Sequence, residues 1–184
     1  MKGEPLSSEM KRLEVLFDTH AGAVHLYASR LVNNDAEDVV AEVFLTAWRR
    51  IEELPDEPLP WLLATTRRVA ANMRRTQRRR TALYDRLQGQ PQHPTEGLST
   101  DSSEDPLAGL VHQALRRLPD ADREALILTA WLDLTPAEAS YVAGCSATTF
   151  RVRLHRARKR FRALMHQLNV PANAHDKHPE GHRR

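Results

Sequence analysis

The chain has 184 residues, 41% of them hydrophobic and 5% aromatic, and a formal net charge of +3. Its one cysteine excludes an internal disulfide framework, and no apolar run approaches the roughly 20 residues that a membrane span requires. The opening "MKGEPLSSEMKRLEVLF" lacks the apolar core of a signal peptide, so the expectation is a cytoplasmic protein without membrane insertion.

Helical periodicity runs through residues 9–80, lapses over residues 88–106 and returns over residues 107–168, with no alternating strand pattern. The predicted fold is therefore all-α, with two small helical domains at residues 9–83 and 107–168. A flexible linker is expected at 84–106 and a disordered tail at 169–184, both too polar to offset the entropy of ordering.

In the first domain, Leu13, Leu16, Phe17, Val24, Tyr27, Ala28 and Leu31 recur at three- and four-residue steps. They form one apolar stripe, with Gly22 as a candidate break. "NNDAEDVVAEVFLTAWRRI" opens the next helix, with Asn34 or Asp35 as N-cap. Its apolar side comprises Val39, Val40, Val43, Phe44, Ala47 and Ile51, while Asp35, Glu37 and Asp38 crowd the dipole-favoured first turns. A third helix is predicted from near Trp61, after the proline-punctuated "ELPDEPLP".

On that third helix, Leu62, Thr66, Val69 and Met73 share one side at about 100° per residue. Burying them aims Arg67, Arg68, Arg74, Arg75, Arg78 and Arg79 elsewhere. A charge run usually means a solvated face, and such faces interleave Glu with Arg. Here no acidic residue occurs between Trp61 and Leu83, which points to phosphate contact instead.

The second domain begins with two amphipathic segments, "LAGLVHQALRRL" and "DADREALILTAWLDL", the latter with Asp120 as the expected cap. Thr135 and Glu138 then have capping-box spacing, with Pro136 at the first helical position. Gly144 can adopt the positive φ that ends this helix, and Ser146 can cap the next. Two helices joined by a short glycine-containing turn predict a helix-turn-helix. Cys145 is expected to be a small apolar plug in that turn.

The final helix carries seven Lys or Arg between Arg151 and Arg162. Phe150, Leu154, Ala157, Phe161, Leu164 and Leu168 form its core-facing stripe. Thr148, Thr149, Arg151, Val152, His155, Arg156 and Lys159 occupy the rest of its first turns, the part of a recognition helix that enters a major groove. Arg suits guanine O6 and N7, and Val152 suits a thymine methyl. His155 fits a base reader and a solvated imidazole equally well. Arg158, Arg160 and Arg162 suit phosphates.

These blocks resemble the extracytoplasmic-function subfamily of bacterial sigma factors. "NDAEDVVAEVFLTAW" and "PWLLATTRRVAANMRR" resemble the family's region 2, and the stretch from "LRRLPDADREALIL" to "HRARKRFRAL" resembles its region 4. The resemblance implies a factor that binds core RNA polymerase, through the β′ clamp and β flap, and directs promoter-specific initiation. It implies polymerase docking by Asp35, Glu37, Asp38, Glu42, Phe44 and Trp48. It implies contact with the promoter −10 element by Trp61, Arg67, Arg68, Asn72, Arg74, Arg75 and Arg78. The seven outward residues of the last helix fall to the −35 element, with Arg151, Val152, His155 and Arg156 facing bases. An anti-sigma factor is a further candidate partner.

Departures from the family pattern include Arg68 where Asn is common, Asn72 where Asp is common, and Val152 where Ser is common. No catalytic residue, metal or cofactor is expected. The competing reading is a stand-alone helix-turn-helix regulator, which leaves the first domain unexplained. A metalloenzyme is suggested only by His175, His178 and His182 in the tail, which lack further ligands.

Overall fold

The structure, a computed structural model, describes residues 5–32, 35–88 and 106–169. Seven α-helices make up its regular structure: α1 Pro5–Leu31, α2 Ala36–Trp48, α3 Leu59–Gln88, α4 Pro106–Arg116, α5 Asp120–Leu126, α6 Pro136–Ala143 and α7 Ala147–Asn169. A π-helical turn, Ile127–Trp131, continues α5. Helix α3 carries the first five residues of the expected linker, while residues 89–105 and the tail from 170 lie outside the described residues.

Helices α1 to α3 share a core of Leu16, Val24, Ala28, Val39, Val43, Phe44, Ala47, Leu62 and Ala70, among others. The stripe on α1 passes through Gly22 without a break. Asp35 does precede α2, but its side chain makes no capping hydrogen bond. Its carboxylate and those of Glu37 and Asp38 act on the helix dipole instead.

A second core joins α4, α5, the π turn, α6 and α7, centred on Leu128, Ala139, Phe150 and Ala157. Arg123 closes its edge by donating to the carbonyls of Leu115 (2.8 Å), Arg116 (3.1 Å) and Leu118 (3.0 Å). One side chain thus satisfies orphan acceptors at the end of α4. Pro119, not Asp120, is the N-cap of α5, so Asp120 is its first residue and pairs with Arg123 at 3.4 Å. The π turn was not legible from periodicity, since it adds one residue to an otherwise unbroken apolar pattern.

The second core also contains Tyr27 of α1 and Leu63 of α3. Two adjacent leucine positions explain this: Leu62 faces the first core and Leu63 the second, both fully buried. Helix α3 packs on α6 along this second side. The two helical units are therefore docked on one another.

The helix-turn-helix is built as its residue types require. The Thr135 backbone N–H donates to Glu138 Oε2 (2.8 Å), and the Glu138 N–H donates back to Thr135 Oγ1 (3.3 Å), completing the capping box. Gly144 adopts φ 65, and the Thr149 N–H donates to Ser146 Oγ at 3.1 Å. Hydrogen bonds from the Thr135 hydroxyl and backbone hold the Glu138 carboxyl below the usual range. A depressed carboxyl stabilises the fold above its unfolded pKa and ceases to as pH falls through the folded value. Thr135→Ala is accordingly expected to cost about 1 kcal/mol at neutral pH and to lessen the loss of thermal stability on acidification. Melting curves at neutral and acid pH check both effects.

Candidate nucleic-acid interface

Helix α7 buries Phe150, Leu154 and Ala157 and exposes Thr148, Thr149, Arg151, Val152, His155, Arg156 and Lys159. All seven residues expected on the outer side are thus brought together on one accessible surface. Val152 is 46% exposed, which leaves an apolar side chain among the cations where a base methyl could meet it. Among the described residues no ion pair engages Arg151, Arg156 or Lys159. Arg160 differs from expectation: it donates to Asp122, whose side chain is almost buried on α5. That pair fastens α7 to its own domain, so Arg160 is a structural cation.

On α3, Arg68, Asn72, Arg74, Arg75 and Arg78 are exposed. Arg74, Arg75, Arg78 and Arg79 line a shallow surface hollow, an arrangement suited to a polyanionic backbone. Trp61 is half-buried against the first core. Arg67 leaves this group. Its Nε donates to Glu124 Oε1 at 3.0 Å, across the boundary between the two units. Tyr27 donates its hydroxyl to the same oxygen at 2.6 Å. Burial, then the Glu124 charge and hydrogen bond, push the Tyr27 hydroxyl far up. Burial lowers Arg67, but the Glu124 carboxylate and its hydrogen bond raise it by more, so its net shift is upward.

Helix α2 exposes Asp35, Glu37, Asp38 and Glu42 as one acidic face, with Trp48 half-buried beside it. Phe44 does not belong to that face. Only 6% exposed, it meets Phe17 edge-on with ring centroids 4.8 Å apart. The apolar periodicity had placed Phe44 inward, and packing follows it. The apolar residue that does accompany the acidic face is Leu45, 51% exposed. Its spacing of three from Glu42 and seven from Asp38 is the signal that identifies it.

Residues 16–80 match the family model for Sigma-70 region 2, and residues 108–161 match that for Sigma-70, region 4. The RNA polymerase sigma factor NccH of Alcaligenes xylosoxydans xylosoxydans is 30% identical over 147 residues, covering 74% of this chain and 76% of NccH. The ECF RNA polymerase sigma factor SigL of Mycobacterium tuberculosis is 29% identical over 170 residues, 89% of this chain and 94% of SigL. The chain belongs to the extracytoplasmic-function sigma factors of bacterial RNA polymerase. As such it directs transcription initiation. The sigma factor RpoE of Bartonella quintana, solved with the anti-sigma factor NepR, shares the fold: TM-score 0.59 at 23% identity, covering 83% of this chain and 96% of that one.

The contact that sequence reasoning missed in this sigma factor is the one between its two regions. Tyr27 and Glu124 lie 97 residues apart, and no local periodicity relates them. The available signal was Glu124 itself, an acidic residue directly before the buried Ala125 and Leu126. Among the described residues no helix is long and apolar enough to cross a membrane, and no group of three potential metal ligands is found. His175, His178 and His182 lie outside the described residues.

Proposed function

We propose that the sigma factor divides its work among three surfaces. The acidic face of α2, Asp35, Glu37, Asp38 and Glu42 with Trp48 at its edge, docks on the β′ clamp of core polymerase. The exposed cations of α3, with Asn72 and Trp61, engage the −10 element, and Arg67 joins them when region 4 moves away. The outer side of α7 reads the −35 element through Arg151, Val152, His155 and Arg156, flanked by Thr148, Thr149 and Lys159. Region 4 also meets the β flap. The protein acts in the cytoplasm and holds no catalytic residues or cofactor, because polymerase supplies the phosphodiester chemistry. An anti-sigma factor is a further partner in this reading.

The observation that carries it is the pairing of two cationic surfaces, one in each region, with a separate acidic face on the same chain. A single DNA-binding module needs only the first of these. The test is run-off transcription with purified core polymerase on a library of promoter fragments. Transcripts of defined start that need both this protein and core polymerase support the reading. A protein that binds DNA but not core polymerase would be a stand-alone regulator instead.

A further inference from the structure

We propose that Tyr27, Arg67 and Glu124 form a latch that keeps the sigma factor in a closed, self-inhibited arrangement. In it, Glu124 occupies an arginine of α3 as an internal substitute for a nucleic-acid phosphate. The inhibitory part of this rests on the function proposed above; the latch itself rests on geometry.

Glu124 Oε1 accepts from two donors, the Tyr27 hydroxyl at 2.6 Å and Arg67 Nε at 3.0 Å, and both donors belong to region 2. The Glu124 side chain is 11% exposed and Tyr27 1%, so the carboxylate is held away from water and both bonds to it are strengthened. Arg67 keeps 43% of its side chain exposed, which gives salt and competing anions access to the pair. The apolar part of the seam draws Tyr27 of α1 and Leu63 of α3 into the second core, with Ala23, Leu26, Leu31 and Leu59 packed at its edge. The paired hydrogen bonds make the junction specific, and the exposed side of Arg67 lets it be exchanged.

Its position makes it inhibitory. Helix α6, the first of the helix-turn-helix pair, lies against α3. In a bound helix-turn-helix, that first helix crosses the DNA backbone. Closure therefore sets α3 against one side of α6, whose Pro136, Ala137 and Tyr141 stay exposed, and withdraws Arg67 at one stroke. The guanidinium also approaches the turn: a Cβ at Gly144 would stand 3.8 Å from Arg67 Nη1. Movement of region 4 away from α3 frees that side of α6 and Arg67 together, while the outer side of α7 is accessible throughout.

Cys145, half-buried beside that turn and packed against the core that Tyr27 and Leu63 share, supplies a native reporter. It is the chain's one thiol. The full chain, Glu124→Gln and Tyr27→Phe are compared by the rate at which a small thiol reagent modifies Cys145 and by small-angle scattering, with circular dichroism to verify helix content. Glu124→Gln removes the charge and keeps the shape, and is expected to raise the modification rate about tenfold and to increase the radius of gyration. Tyr27→Phe, which loses one of the two bonds, is expected to move both readouts less in the same direction. Unchanged thiol reactivity and unchanged dimensions in both variants, with helix content intact, overturn the latch.

Affinity for core polymerase completes the test, since a closed population lowers apparent affinity in proportion to the open fraction. Glu124→Gln should bind core polymerase more tightly than the parent protein. A variant that opens but binds polymerase no more tightly overturns the inhibitory role. If neither protein binds polymerase, the proposed function fails, while the thiol and scattering measurements still decide whether the latch exists.

Discussion

Phe150→Ala is expected to destabilise region 4 by about 3–5 kcal/mol, the usual cost of removing a fully buried ring. Phe150 has no exposed surface and stands at the start of α7, where α5, α6 and α7 converge. Leu128, Ala139 and Ala157 of the same core are themselves completely buried, so the space left by the ring is an internal cavity and not a surface dent. The loss falls on the helix that presents Arg151 and Arg156, so DNA binding should weaken without any change in the contacting residues. The core of α1 to α3 contains none of these side chains. Urea unfolding followed by circular dichroism should therefore show an early transition for region 4 and a later one for region 2. A single transition displaced as a whole would mean that the shared seam couples the two regions more strongly than their separate cores suggest.

Arg156→Ala is expected to weaken promoter binding by about 1–3 kcal/mol and to relax preference at one base pair of the −35 element. Arg156 is exposed on the third turn of α7 and among the described residues no ion pair engages it, so the full guanidinium fork is available for guanine O6 and N7. A phosphate contact gives a different signature: a uniform loss across all sequences and a shallower salt dependence. Titration of holoenzyme against promoters varied singly through the −35 element, at two salt concentrations, separates the two. Arg160→Ala provides the contrast. Its guanidinium is committed to Asp122, so its removal should lower stability and leave sequence preference intact.

Much of this molecule was legible in its sequence because the decisive information is local. A capping box spans four residues, a left-handed glycine turn three, and a helical stripe repeats every turn. Thr135, Glu138, Gly144 and Ser146 therefore announced the helix-turn-helix, and Phe150, Leu154 and Ala157 its buried side. The same logic placed Phe44 inward, and assigning it also to a docking face contradicted its periodicity. What escaped was contact between elements distant in sequence. Arg67 looked like one cation of a series, and only the fold shows Glu124 waiting for it. Likewise Leu63, next to a residue of the expected stripe, carried no sign of its separate destination. Arg160 is a smaller instance: on its own helix it points outward, and only the arrival of α5 gives it a partner.

The shared core has a consequence for how the chain is made. Tyr27 and Leu63 belong to a cluster whose other members, from Leu115 to Ala157, are synthesised later. At ordinary elongation rates the roughly 94 residues from Leu63 to Ala157 take about 5–19 s to emerge. Through that interval the nascent region 2 can complete its own packing, yet it must carry Tyr27 and Leu63 uncovered. For those seconds the ribosome-bound chain offers an apolar spot that the finished protein conceals, a natural foothold for a chaperone and a hazard where several ribosomes crowd on one message.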